Sequence, residues 1–225
     1  AFLEAGVELT AKQDDRLKVI DEVCKQQLYM YENKVHSVPN RIVSISQPYI
    51  RPIVRGKAAA PVEFGAKLDL SIDEKGLARL ERLSFDAYNE SDVLIEAIER
   101  YKERTGHYPE RALTDKIYRN RDNLAYCRLH GIRLSGPSLG RSKKNAAADK
   151  KTEYADNADR IEVERSFSLA KRCYGLGMIK TKLDLTTRSS IALSILTMNV
   201  ARLVALSLQF LIMLFSRFKQ HKNML

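Results

Sequence analysis

From residue 61 the apolar positions fall on every second residue, with Val62, Phe64, Ala66, Leu68, Leu70 and Ile72 separated by Glu63, Gly65, Lys67, Asp69, Ser71 and Asp73. A period of two puts the first set on one face and predicts a half-buried strand over 61–72. Asp73-Glu74-Lys75-Gly76 supplies a turn, and a second run over 77–88 predicts its antiparallel partner. Elsewhere the period is that of a helix. Leu17, Ile20, Cys24, Leu28, Tyr31 and Val35 recur at three- and four-residue steps, which predicts an amphipathic helix within 8–35, closed by Pro39-Asn40. A helix starting at Ser91 carries Leu94, Ile95, Ile98 and Tyr101 inward, ends at Gly106 and is blocked by Pro109.

A short strand is predicted over 111–116, a helix over 120–130 ended by Gly131, and another strand over 132–135 running into Gly136-Pro137. Strand, helix and strand in succession imply parallel pairing. Residues 140–151 are basic, Ala-rich and aperiodic and read as a linker or DNA-tracking loop, with a plain solvated connection the simpler reading. A helix follows over 153–174, and after Gly175 and Gly177 a long apolar helix begins near Thr186. Residues 41–46 are a short β-branched run, and 47–60, with Arg51, Arg55 and Lys57, suggest a basic loop or edge segment.

Composition narrows the partners. Among 225 residues, 38 Lys plus Arg against 28 Asp plus Glu leave a net charge of +10, which favours an anionic partner with nucleic acid first. Cys24, Cys127 and Cys173 lie far apart with no C-x-x-C, and His36, His107, His130 and His221 do not cluster. That spacing speaks against a zinc site or disulfide framework and for a reducing, cytoplasmic compartment. The chain opens Ala1-Phe2-Leu3-Glu4 with no basic segment before an apolar core, so no signal peptide is expected. Residues 191–215 are long enough to span a bilayer, but they hold Asn199, Arg202 and Gln209. An arginine near the middle of a span costs about 2.5 to 3.5 kcal/mol, so a buried or oligomer-forming helix is expected and no membrane.

The strongest chemical signal lies in the helix over 153–174. At ~100° per residue Asn157, Arg160, Glu164 and Lys171 form one polar stripe beside the apolar Val163, Phe167, Ala170 and Tyr174. A carboxylate flanked by cations suits a divalent metal bridged to phosphate. By spacing alone, an exposed ion-pair ladder of Arg160 and Glu164 at i and i+4 is the simpler reading.

The run Asn157-x2-Arg160-x3-Glu164-x6-Lys171 resembles the Y-(2)-R-(3)-E-(6)-K signature of bacterial insertion-sequence transposases of the DDE class, with Asn157 where the family has Tyr. Leu113-Thr114-Asp115-Lys116-Ile117-Tyr118 resembles the family's Asp-Lys-Gly-Tyr segment, with Ile117 replacing Gly. The segments 45–57, 61–71, 104–116, 131–141 and 163–177 resemble consecutive blocks of one subgroup, so the likeness covers most of 40–205.

The resemblance implies an α/β fold: a ribonuclease-H-like mixed sheet flanked by helices, with extra N- and C-terminal helices. It places a partial catalytic domain over 41–177, between the amphipathic helical segment that the apolar period marks over 1–40 and a C-terminal helix over 178–225. It makes Asp115 and Glu164 catalytic metal ligands, and gives DNA-contacting or supporting roles to Arg160, Lys171, Asn157 and Lys116. The complete enzyme would hold two Mg²⁺ ions, or Mn²⁺, act on transposon ends and target DNA in cleavage and strand transfer, and work as a homo-oligomer. The family's first catalytic Asp ends a strand before the hairpin, and nothing in 1–60 resembles that block; Asp14, Asp15, Asp21 and Asp69 are poor stand-ins. That Asp and its central strand are therefore expected upstream of Ala1, and the chain alone is not expected to cleave DNA. The alternative is a catalytically inactive DNA-binding or oligomerising remnant of a transposase.

Overall fold

A computed structural model describes residues 8–54, 62–136 and 146–222. The chain is of the α/β class, and its described residues form six strands in three two-stranded sheets together with five α-helices. It divides into two compact units, one made of residues 1–67, 83–88 and 182–184, the other of 68–82, 89–181 and 185–225.

The first unit contains α1 (Ala11–Glu32) and the antiparallel pair of β1 (Pro52–Val54) and β2 (Val62–Phe64), in which Ile53 lies opposite Glu63. The helix forms where its period places it, but its burial departs from the expected stripe. Leu17, Ile20, Leu28 and Tyr31 are exposed, while Gln26 and Met30 are buried. Gln26 is buried because its amide serves the segment after the helix: its oxygen accepts the Ile42 N–H at 2.9 Å and its nitrogen donates to the Asn40 carbonyl at 3.4 Å. The β-branched run 41–46 forms no strand. Tyr49 packs edge-on against Phe85, with ring centroids 4.6 Å apart.

The strand expected over 61–72 is two. Gly65, at φ +137, a backbone setting that L side chains rarely adopt, breaks the strand between β2 and β3 (Lys67–Ile72). In the second unit, β3 and β4 (Ala78–Ser84) pair around a turn in which the Asp73 carboxylate accepts the N–H groups of Lys75 and Leu77 at 3.0 and 2.8 Å. Glu81 on β4 is buried and is compensated by Ser71, Arg100 and Arg104. Buried carboxylates persist when they are paired and hydrogen-bonded in this way.

Asn89 accepts the Ser91 N–H and starts a 3₁₀ turn, Glu90–Asp92, that leads into α2 (Val93–Thr105); Gly106 closes the helix in the left-handed region, as its position predicts. β5 (Arg111–Ala112), α3 (Arg121–Leu129) and β6 (Arg133–Leu134) follow, and the two strands pair in parallel as the strand-helix-strand order implies. Asn120 caps α3 by accepting the Asn123 N–H at 2.8 Å. Leu94 and Ile98 from α2, Cys127 from α3, and Ile132 and Leu134 around β6 make the core, with Tyr118 and Leu124 packed against it.

Residues 140–145 of the expected linker lie outside the described residues, but 146–151 are helical. They open α4 (Ala146–Cys173), which therefore begins before the expected 153. Gly175 and Gly177 end this helix: the Leu176 N–H reaches the Ala170 carbonyl at 3.0 Å and the Gly177 N–H reaches Lys171 at 3.2 Å.

The last helix, α5 (Asp184–Lys222), buries Ile191, Ile195 and Met198 and clasps the hairpin. Asn199 accepts the Ala78 N–H and donates to its carbonyl, both at 2.8 Å, and Arg202 Nε donates to Lys75 O at 3.2 Å. By length and composition the stretch Asp184–Ser216, whose most apolar 18-residue window has a mean hydropathy of 1.9, is able to cross a membrane. The polar residues within it are nonetheless used to hold β4 and its turn.

Candidate active site

Asp115 stands three residues beyond β5, past the C-terminal ends of the parallel pair, where open α/β sheets place their ligands. Its approach is fixed by Ser135, at the corresponding end of β6. The Thr114 N–H donates to Ser135 Oγ at 2.8 Å, and that hydroxyl donates to Thr114 O at 3.3 Å. Asp115 itself is extended, and the chain then folds into a 3₁₀ turn, Lys116–Tyr118, in which the Tyr118 N–H returns to Asp115 O at 3.1 Å.

That turn is held from two sides. The buried Asn123 amide donates to Tyr118 O at 2.8 Å and to Ser91 O at 2.9 Å, and the Tyr118 hydroxyl donates to Asp69 Oδ1 at 3.0 Å. Asp69 thus acts as an anchor for the segment after Asp115.

Helix α4 is oriented by Asp156. Arg111 and Arg133 are register partners on β5 and β6, and the buried Asp156 carboxylate accepts from both. Asp159, one turn on, accepts from Arg111 at 2.6 Å. The charge-assisted bond from Arg133, followed by the one from Arg111, outweighs burial and holds the Asp156 carboxyl below its ordinary pKa. Sequence reasoning passed over this group. Its signal was two arginines, each opening a short strand, and two aspartates three residues apart on the facing helix.

With α4 set in this way, Arg160 donates to Asp115 Oδ1 at 2.9 Å, so it turns to the strand rather than forming the expected i, i+4 ladder with Glu164. Asp115, Glu164 and Lys171 line one concavity of about 490 Å³ with Val163, Phe167 and Ser168. Four of the residues singled out from the sequence are therefore brought together: Asp115, Arg160, Glu164 and Lys171. Asn157 and Lys116 are exposed, and neither lines the concavity.

Two exposed carboxylates are hard oxygen donors of the kind a divalent cation takes, with open positions for water and phosphate. Among the described residues no group of three or more His, Cys, Asp or Glu assembles. The donor set thus fits part of a divalent-metal centre.

Residues 112–201, two-fifths of the chain, match the family described as transposase DDE domain. That stretch runs from the end of β5 through α3, β6 and α4 into α5, so the match contains the whole concavity, and it bears out the resemblance to DDE-class transposases. No curated protein and no solved structure matches the chain.

Proposed function

We propose that this chain is part of the catalytic domain of a DDE transposase, an enzyme that cuts and joins DNA strands at the ends of a mobile element. The observation that carries the reading is the meeting of Asp115, from the end of a parallel strand, with Glu164 and Lys171, from one face of α4, at a single concavity.

In this reading Asp115 and Glu164 hold the metal. Bound Mg²⁺, two ions in the complete enzyme with Mn²⁺ as a substitute, would activate the attacking oxygen and stabilise the leaving oxygen of an in-line phosphoryl displacement. Lys171 neutralises a phosphate as a point charge at the rim of the concavity. Arg160 orients the Asp115 carboxylate by occupying Oδ1, which leaves Oδ2 free. Lys116 and Asn157, both exposed, contribute to DNA contact around the site.

The finer fold assignment is ribonuclease-H-like, with a helical segment over 1–40, a partial catalytic domain over 41–177 and a C-terminal helix over 178–225. The order of elements supports it: the β3–β4 hairpin, then α2, then a parallel β5–β6 pair with Asp115 just past the end of β5. The same reading makes the partners transposon ends and target DNA, the working form a homo-oligomer and the compartment cytoplasmic.

The test uses Mn²⁺ as a paramagnetic probe on the 225-residue chain, alongside binding of duplex DNA over a salt series. Specific broadening of the Phe167 and Val163 resonances, lost in Asp115→Asn and in Glu164→Gln, is expected. So is weaker DNA binding with a shallower salt slope in Lys171→Ala. Broadening that survives both carboxylate changes overturns the assignment. With two carboxylates at the site, supercoiled plasmid incubated with the chain and Mg²⁺ should remain intact.

A further inference from the structure

The segment that carries Asp115 leaves β5 and returns to α3, and both of its limbs are tied to one residue. On the outgoing limb the Thr114 N–H donates to Ser135 Oγ at 2.8 Å. On the return limb stands Arg119, the residue after the 3₁₀ turn. Its Nη1 donates to Leu134 O and to Ser135 O, both at 2.7 Å. Leu134 and Ser135 are buried, so their carbonyls need a partner from the protein.

The guanidinium is closely fitted there. A Cβ on Gly136 would stand 2.9 Å from Arg119 Cδ, so the residue after Ser135 leaves room for the side chain to pass. Arg119 Nε is buried and meets no acceptor among the described residues. A buried donor without an acceptor lowers stability, which suits this side chain to fixing a position more than to strengthening the fold.

We infer that Arg119 is a positioning residue for Asp115: it ties the return limb to the end of β6, where the outgoing limb is already tied, and so closes the loop that presents the carboxylate. Asn123 and Asp69 hold Tyr118 towards the start of α2 and towards β3. Arg119 adds the tie to β6, the strand paired with β5. The inference rests on the reading of Asp115 as a metal ligand. Charge and position then predict opposite effects. Loss of a cation from this neighbourhood would by itself strengthen the binding of a divalent metal, whereas loosening the support of a ligand weakens it.

Titration calorimetry with Mn²⁺ on the full chain, joined to amide exchange, tests the inference. Arg119→Ala should weaken Mn²⁺ binding about tenfold. Arg119→Lys keeps the charge but ends one bond short of Nη1, and it should weaken binding too. In both, exchange should quicken at Thr114, on the opposite limb, while the amides around Glu164 are unaffected. Tighter Mn²⁺ binding in Arg119→Ala, or an unchanged rate at Thr114, would each overturn it. Should Arg119→Ala fail to fold, Arg119→Lys decides. If the unaltered chain takes up no Mn²⁺, the metal reading falls by itself, and exchange at Thr114 alone upholds or overturns the closed loop.

Discussion

Arg160 Nη1 lies 2.9 Å from Asp115 Oδ1, across 45 residues of chain, and joins the helix that carries Glu164 to the strand end that carries the other carboxylate. The pair is solvated, with side-chain exposures of 34% for Arg160 and 71% for Asp115, so its worth to folding is about 0.5 kcal/mol. Its effect is local. Arg160→Ala should leave thermal stability almost unchanged. It should also tighten Mn²⁺ binding about thirtyfold, because a positive charge ~4 Å away opposes a divalent cation by about 2 kcal/mol in water. Titration calorimetry checks it, and weaker binding in Arg160→Ala would count against the guanidinium as a competitor for Asp115.

Asp156 gives the chain a signature at low pH. Its folded pKa lies below the unfolded value of about 3.9, so the folded state binds the proton less readily than the unfolded one. The stability this contributes is present in full above about pH 5 and is lost as the pH falls through the unfolded and then the folded pKa. Asp156→Asn should lower stability by about 1 to 3 kcal/mol at neutral pH. The difference from the unaltered protein should shrink towards pH 3. Urea melts at a series of pH values measure this, and a constant difference across that range would contradict it.

Gly177 is tied to the end of α4 by contact rather than by φ. A Cβ there would stand 2.7 Å from the Lys171 carbonyl oxygen, and backbone cannot yield as a flexible side chain can. Gly177→Ala should cost about 1 to 3 kcal/mol through forced shifts in the last turn of α4. It should also perturb Lys171 amide resonances more than those of Asp156. An unshifted Lys171 would refute the close approach.

Asn123 is the hidden support of the segment after Asp115. Asn123→Ala leaves the carbonyls of Ser91 and Tyr118 without their donor, an expected loss of about 1 to 3 kcal/mol. The 3₁₀ turn should loosen with it, read as faster amide exchange at Tyr118 and Arg119 while the α4 amides keep their protection.

Helix ends and turns were legible because their chemistry is local. Gly106 and Gly131 stand at positive φ where helices stop, and Asn120 caps where the polar-to-apolar switch places it. The alternation over 61–72 misled at Gly65, where a residue without Cβ lets the chain change direction while the apolar period runs on. On α1, the expected apolar stripe did not mark burial, because Gln26 meets backbone donors and acceptors that only tertiary structure brings near. At the site, the stripe of Arg160, Glu164 and Lys171 was readable from helical spacing. The carboxylate of Asp115 came within reach only by resemblance, since contacts across 45 residues leave no periodic trace. Asp156 was missed for the same reason, its two arginine partners lying on different strands.

The Asp156 clamp acts as a fulcrum. Glu164 lies eight residues further along α4, a lever arm of about 12 Å. A tilt of only about 5° at the clamp would swing its carboxylate by about 1 Å, which is large on the scale of a metal–oxygen bond of 2.0–2.1 Å. Substitutions at Arg111 or Arg133, remote from any reacting atom, would then act as errors of aim.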